Sequence, residues 1–143
     1  TCLDALAGSG ALGFEALSRG AARVVMIERH APQRQALQAA ATALAAEGAT
    51  VLGGDALALV ATPGEWCPPA GFDGVFLDPP YQAGLLPGMV ARLLAPGWLK
   101  PGAFVYVEAD VDWPALGLPT SLVLEKQTRA GAVHAMLVRY RPA

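Results

Sequence analysis

Charged residues are scarce in this sequence. Only 15% of the 143 residues are Asp, Glu, Lys or Arg, whereas 54% are hydrophobic. This balance excludes an intrinsically disordered chain, and the length suits one domain with one buried core. The apolar residues never form a run of the roughly 20 residues that a membrane-spanning helix needs. We therefore expect a single globular domain that is not embedded in a membrane.

The sequence also contains few cysteines and carries no net positive charge. The two cysteines, Cys2 and Cys67, do not suggest a disulfide framework, so we expect a reducing, cytoplasmic location. The formal net charge is −2, whereas nucleic-acid-binding domains are usually basic. The charge is uneven, because residues 126–143 contain no acid but do contain Lys126, Arg129, Arg139 and Arg141. Arginines here could contact phosphates or could simply be solvated, and the sequence leaves both interpretations open.

Strand-like and helix-like segments alternate along most of the chain. The predicted strands are 2–6, 23–28, 50–53, 72–78 and 103–108; the predicted helices are 11–19, 32–46, a weak one from 56, and 85–94. Such alternation predicts an α/β fold, a Rossmann-like and mostly parallel sheet with helices on both faces. Two further strand-like runs, 122–129 and 132–141, are joined so tightly that they can only form a C-terminal antiparallel hairpin.

A glycine-rich loop follows the first predicted strand. Residues 8–13, GSGALG, open the first predicted helix and fit G-x-G-x-x-G, whose glycines let the backbone turn sharply and approach a cofactor closely. Glu28 ends the second predicted strand, about 20 residues later, where a carboxylate can accept hydrogen bonds from both ribose hydroxyls. Taken alone, these features fit NAD and S-adenosylmethionine equally well.

Asp4 favours S-adenosylmethionine over NAD, and Asp55 suits an adenine. Asp4 precedes the loop, where its carboxylate can face the cationic amino-acid end of S-adenosylmethionine but would repel a dinucleotide pyrophosphate. Asp55 follows the third predicted strand and can accept a hydrogen bond from an adenine amino group. The alternative is that both aspartates merely cap helices. The predicted cofactor-binding residues are Asp4, Ala7, Gly8, Ser9, Gly10, Gly13, Glu28, Arg29, Asp55 and Ala56.

The tetrapeptide D-P-P-Y follows the fourth predicted strand, at the sheet edge where open α/β folds bind ligands. Two consecutive prolines stiffen the backbone and remove two donors, which leaves the Asp78 side chain and the Pro79 carbonyl as fixed acceptors. The alternative is a rigid turn with a buried tyrosine. Because the motif accompanies the glycine loop, we predict a catalytic role for Asp78, Pro79, Pro80 and Tyr81.

This acceptor pair suits methyl transfer to an exocyclic amino group of a nucleobase. Such an amine is a poor nucleophile because its lone pair is delocalised into the ring. Two acceptors that hold its two hydrogens can draw the nitrogen toward a tetrahedral shape, so that positioning and charge stabilisation carry the catalysis. An Asp of ordinary pKa suffices, since it need not deprotonate the amine before transfer. Tyr81 would stack on the base.

With these motifs, the chain resembles the RsmD family of small-subunit ribosomal RNA guanine-N2 methyltransferases. The resemblance spans nearly the whole chain, and the run through the glycine loop and the helix after it is more specific than a general cofactor loop. The resembling stretches are LDALAGSGALGFEALSRGA (3–21), VVMIE (24–28), FDGVFLDPPY (72–81), GWLKPGAFVYVE (97–108) and the closing hairpin.

The resemblance implies a class I methyltransferase fold, S-adenosylmethionine bound by residues 8–13, Glu28 and Asp55, and catalysis by Asp78, Pro79 and Tyr81. It implies as target the N2 amino group of a guanine in ribosomal RNA, free or in the assembling small ribosomal subunit. Family members usually carry an RNA-binding segment before the first strand. Because the first predicted strand begins almost at Thr1, we expect such a segment to precede this sequence.

Other assignments and functions stay open at this point. Glu108 closes the fifth predicted strand at the ligand edge, and we expect it to support the site. His30 and His134 have no cysteine or carboxylate at metal-ligand spacing, so we predict no metal, and we expect a monomer. The first rival function is adenine-N6 methylation of DNA. The second is an NAD-dependent oxidoreductase, which would leave D-P-P-Y unexplained. The third is a non-catalytic RNA-binding scaffold, which would not need an intact tetrapeptide.

Overall fold

The computed structural model describes residues 1–8, 10–61, 63–78 and 85–142. Within these ranges, strands and helices alternate along the chain up to a terminal pair of strands. In chain order the elements are β1 (Cys2–Asp4), α1 (Ala11–Ser18), β2 (Val24–Glu28), α2 (Ala31–Ala43), β3 (Ala49–Gly53), α3 (Ala56–Leu59), β4 (Phe72–Leu77), α4 (Leu85–Leu93), β5 (Leu99–Ala109), α5 (Trp113–Leu116), β6 (Leu122–Ala130) and β7 (Val133–Tyr140). No helix within the described ranges is both long and apolar enough to cross a membrane.

The seven strands form one sheet in the order β3-β2-β1-β4-β5-β7-β6. Strands β1 to β5 run parallel to one another, and β7 runs antiparallel to both β5 and β6. The predicted mostly parallel sheet with a closing antiparallel hairpin is therefore confirmed. The chain moves outward from β1 to β3 and then returns to β4 on the other side of β1. This reversal opens a crevice at the carboxyl ends of β1 and β4, the usual ligand position in open α/β sheets.

Helices cover both faces of the sheet because side chains alternate along each buried strand. In β2, Val24 and Met26 pack on the face that carries α1 and α2. Val25 and Ile27 point the other way and join the larger core cluster, to which α3 and α4 contribute. Asp4 lies two residues after Cys2 in β1 and so shares the face that α1 covers.

Several boundaries differ from the sequence prediction. The first strand was predicted to reach residue 6 but ends at Asp4, because the chain turns there into the glycine loop. β5 begins at Leu99, four residues before the predicted start, and tolerates Pro101 and Gly102 through an irregularity in its pairing with β4. The short helix α5 was not predicted; the Asp112 carboxylate caps it by accepting the Ala115 N–H at 3.2 Å.

Candidate functional site

The glycine loop turns back on itself directly after β1. Gly8 and Gly10 have φ values of +55° and +81°, which side-chain-bearing residues rarely adopt. The Gly10 N–H donates to the Ala7 carbonyl at 2.8 Å and closes the turn. A Cβ on Gly10 would lie 2.6 Å from Cδ2 of Leu37, whereas no described atom lies within 4 Å of a Cβ built on Gly8. Gly10 is therefore packed, and Gly8 borders open space.

Glu28 holds the loop from the end of β2. Its Oε2 accepts the Gly8 N–H at 3.0 Å and its Oε1 accepts the His30 N–H at 3.0 Å. A carboxylate has about four acceptor sites, so both oxygens can still accept further hydrogen bonds. Gln33, at the start of α2, donates to the Gly8 carbonyl at 2.8 Å. Sequence reasoning missed Gln33, since no motif marks a side chain that reaches back to the loop from the following helix.

Asp4 is a buried carboxyl beneath the start of α1. Only 1% of its surface is exposed, and its Oδ2 accepts the Gly13 N–H at 3.2 Å. The structure thus bears out part of the capping alternative, since this bond satisfies an unpaired donor in the first turn of α1. Burial raises the pKa of Asp4 to about 7; the hydrogen bond from Gly13 opposes this rise, while the charges of Asp78 and Glu28 add to it.

Asp55 and Ala56 lie where β3 ends and α3 begins. Asp55 is exposed and precedes α3, but its side chain accepts no capping hydrogen bond from the described backbone of that helix. Capping therefore does not account for Asp55, and its carboxylate lies at the same sheet edge as Glu28, since Glu28 pairs with Gly53. Arg29, directly after β2, is exposed.

Asp78 directly follows β4 and is exposed. The pKa of Asp78 is raised to about 6, first by desolvation and then by its interaction with the neighbouring Glu108 carboxyl. Glu108 lies near the end of β5 and accepts the hydroxyl proton of Tyr106 at 2.8 Å. The expected support from Glu108 has a physical basis in these contacts. Sequence reasoning missed Tyr106, although its spacing of two residues from Glu108 would put both on one face of a strand.

Most of the predicted site residues gather at one edge of the sheet. Four of them, Ser9, Pro79, Pro80 and Tyr81, lie outside the described residues, so their placement stays a prediction. The others follow or end four adjacent strands: Asp4, Ala7, Gly8, Gly10 and Gly13 from β1, Glu28 and Arg29 from β2, Asp55 and Ala56 from β3, and Asp78 from β4. Among the described residues, no group of three or more His, Cys, Asp or Glu side chains is placed to hold a metal ion.

Comparison with known proteins identifies relatives of this chain. A family model described as "Conserved hypothetical protein 95" matches residues 1–139. Ribosomal RNA small subunit methyltransferase D of Escherichia coli K12 is 38% identical over 132 residues, which are 92% of this chain and 64% of that protein. The protein of the same name from Haemophilus influenzae is 37% identical and is covered to 67% of its length. The chain thus spans about two thirds of these relatives.

Solved structures share the architecture. An Escherichia coli protein, 36% identical in sequence, superposes with a TM-score of 0.88 over 99% of this chain and 76% of its own. An S-adenosylmethionine-dependent methyltransferase from Aquifex aeolicus superposes with a TM-score of 0.68 over 97% of this chain and 81% of its own. At 13% identity, this second likeness is evidence for the fold alone.

The reversal of strand order at β1 and β4, the glycine loop between β1 and α1, and the antiparallel β7 together define the class I methyltransferase fold. Within that class, the chain belongs to the RsmD family, as the family model and the relatives at 37–38% identity establish. The resemblance inferred from the motifs is therefore confirmed.

Proposed function

We propose that this protein transfers a methyl group from S-adenosylmethionine to the N2 amino group of a guanine in small-subunit ribosomal RNA. The observation that carries the proposal is geometric: Asp4 of β1 pairs with Phe76 of β4, so Asp78 lies two residues further along, at the edge where the glycine loop begins. The residue predicted to hold the base and the glycine loop predicted to hold the cofactor therefore open on one crevice. A single flipped nucleotide can bridge the two.

The residues of the loop suit S-adenosylmethionine, which supplies an electrophilic methyl group on a cationic sulfur. The Glu28 oxygens retain acceptor capacity for ribose hydroxyls, and the open space beside Gly8 leaves room for a ligand against the backbone. When it is ionised, the buried Asp4 carboxylate favours a cationic ligand and disfavours a pyrophosphate, which argues against the NAD-dependent alternative. Asp55 would accept a hydrogen bond from the adenine amino group.

Asp78 would hold the amino group of the base. Its carboxylate accepts one N–H, and the Pro79 carbonyl, as predicted from the sequence, accepts the other. Held in this way, the nitrogen directs its lone pair at the methyl group, and most of the rate enhancement comes from orientation. At neutral pH a group with a pKa of about 6 is largely ionised, so Asp78 is available as an acceptor.

The substrate assignment rests on the relatives. Proteins named ribosomal RNA small subunit methyltransferase D are 37–38% identical to this chain, and these names favour ribosomal RNA over the DNA-adenine alternative. We further propose that the target is the guanine N2 amino group, that the protein is a monomer and that it is located in the cytoplasm. The partner is ribosomal RNA or the assembling small subunit.

Transfer of a labelled methyl group tests this function. The protein, extended by any preceding segment, is incubated with labelled S-adenosylmethionine and either small-subunit ribosomal RNA, assembling small subunits or genomic DNA, all isolated unmethylated. Digestion to nucleosides then identifies the product. We expect label in N2-methylguanosine from RNA or subunits. Label in N6-methyl-2′-deoxyadenosine from DNA, with inert ribosomal RNA, would instead support the rival substrate.

A further inference from the structure

Glu108 belongs to the site through the pairing of β4 with β5. These parallel strands pair Phe76 with Tyr106 and Leu77 with Val107. The next residues along each strand are Asp78 and Glu108, which places their carboxyls side by side at the ligand edge of the sheet, since paired strands lie about 5 Å apart. Neither the glycine loop nor the D-P-P-Y motif includes Glu108.

Tyr106 fixes the orientation of Glu108. The two residues lie on the same face of β5, and the Tyr106 hydroxyl donates to Oε1 of Glu108 at 2.8 Å. The ring of Tyr106 packs edge-on against Phe76 at 6.1 Å between centroids, which restricts its movement. Glu108 therefore presents a held carboxylate with remaining acceptor capacity toward Asp78.

This carboxylate stabilises the protonated form of Asp78. A protonated Asp78 can donate to Glu108, and this hydrogen bond, with the charge of Glu108, adds to the desolvation that raises the pKa of Asp78 to about 6. Among the described residues, two titratable groups are coupled to the pair. The pKa of Asp4 is raised by burial and also by the charge of Asp78. The pKa of Tyr106 is raised to about 12 by burial, by its bond to Glu108 and by the charges of Glu108 and Asp78. Asp78 is thus a stronger base than an ordinary aspartate.

We propose that Glu108 is a positioning residue that lets Asp78 take the proton released by methyl transfer, by accepting a hydrogen bond from the newly protonated Asp78 while Tyr106 holds it in place. This role rests on the proposed function. As the N–C bond forms, the C–S bond breaks and its electron pair stays on sulfur. The nitrogen, now bearing a positive charge, loses one proton to the Asp78 carboxylate. Release of that proton to water restores the ionised pair.

A titration that needs no substrate tests the coupling. Carboxyl ¹³C shifts of Asp78, assigned with Asp78→Asn, are followed against pH in the wild-type protein, Glu108→Gln and Tyr106→Phe. Glu108→Gln removes the neighbouring charge, so the Asp78 midpoint should fall by roughly one pH unit. Tyr106→Phe should give a smaller fall, because Glu108 is then held less firmly. Glu47→Gln, at an exposed position outside the site, is the control and should leave the midpoint unchanged.

The pH dependence of methyl transfer tests the catalytic consequence. In the wild type, the rate should decline below about pH 6, as Asp78 becomes protonated. In Glu108→Gln, the decline should move to lower pH and the plateau rate should fall about threefold to tenfold, because Asp78 is a weaker base. A uniform loss of rate at every pH would assign Glu108 a structural role only.

The two failures are distinguishable. An Asp78 midpoint that is the same in the wild type and in Glu108→Gln overturns the role of Glu108, whether or not the protein methylates RNA. Suppose instead that the midpoint shifts but the protein transfers no methyl group to any RNA or DNA tested. This result overturns both the proposed function and the catalytic role of Glu108, and only the coupling between Asp78 and Glu108 remains supported.

Discussion

The Gly13 N–H donates to Asp4 Oδ2 over 3.2 Å, and this bond ties the first turn of α1 to the end of β1. The helix can approach because Gly13 has no side chain; a Cβ there would lie 3.0 Å from Cε of Met26. The close approach also buries the Asp4 carboxyl, of which only 1% is exposed. The fold thus keeps an acid in its core beside the crevice, at a cost in stability whenever that acid is ionised.

The first prediction concerns Asp4 and the dependence of stability on pH. The pKa of Asp4 is about 7 when folded, against 3.8 for an ordinary Asp, so the folded state holds a proton that the unfolded state releases. The contribution of Asp4 is fully present below about pH 4 and is lost as pH rises through 7. The loss is on the order of 4 kcal/mol by pH 8. Asp4→Asn should remove this loss of stability with rising pH. Denaturant unfolding of the ligand-free protein at several pH values measures it.

Asp110→Asn, at an exposed position, is the matched control and should follow the wild type at every pH. A constant difference between Asp4→Asn and the wild type from pH 4 to pH 8 would show that Asp4 does not titrate in this range. Because the same charge is proposed to face a cationic ligand, Asp4→Asn should also weaken binding of S-adenosylmethionine while stabilising the ligand-free protein at pH 8.

The second prediction separates two glycines of the loop. Gly8→Ala and Gly10→Ala both place a side chain at positive φ, which costs about 1 kcal/mol. Gly10→Ala also drives a Cβ into Leu37 and Phe14, for a further 1–3 kcal/mol or so. Thermal unfolding should therefore show the larger loss in Gly10→Ala. Gly8→Ala should lose only the roughly 1 kcal/mol that positive φ costs, but it should bind cofactor more weakly, because its methyl group enters the space beside the loop. Equal melting temperatures for the two variants would contradict the packing assigned to Gly10.

The third prediction concerns Glu28. Glu28→Gln replaces one oxygen by an amide donor, which can no longer accept both the Gly8 and His30 N–H groups. We expect the dissociation constant for S-adenosylhomocysteine to rise at least tenfold or so, as is typical when a charged acceptor is lost. Calorimetry measures it, with Glu47→Gln as the control. Tight binding of NAD by the wild type would argue against the whole assignment of this loop.

The local sequence predicts an element of the fold correctly where a single physical requirement determines the conformation of that segment. The β-branched run that ends at Glu28 could only be a buried strand, and the join of two residues before β7 could only be a hairpin. The extension of β5 back to Leu99 was missed, because Pro101 and Gly102 indicate a break and only pairing with β4 shows that the strand continues.

The candidate site divides in the same way. Spacing and position at the ends of predicted strands are enough to predict the glycine loop, Glu28 and Asp78 as site residues from the sequence. The bond from Gln33 to Gly8 and the contact between Glu108 and Asp78 depend on which elements lie side by side in three dimensions. No local pattern specifies that, and the raised pKa values of Asp4 and Asp78 follow from the same packing.

The central claim, that Asp78 acts on the reacting amine and not on the cofactor, is tested most directly by comparing two numbers for Asp78→Asn. The rate of methyl transfer to small-subunit ribosomal RNA should fall roughly 100-fold or more, because the variant can neither bear the charge nor take the proton. Its dissociation constant for S-adenosylhomocysteine should stay within about twofold of the wild type, well under the tenfold change that 1.4 kcal/mol would give. An equal loss of transfer and of binding would contradict the account and make Asp78 a cofactor or fold residue.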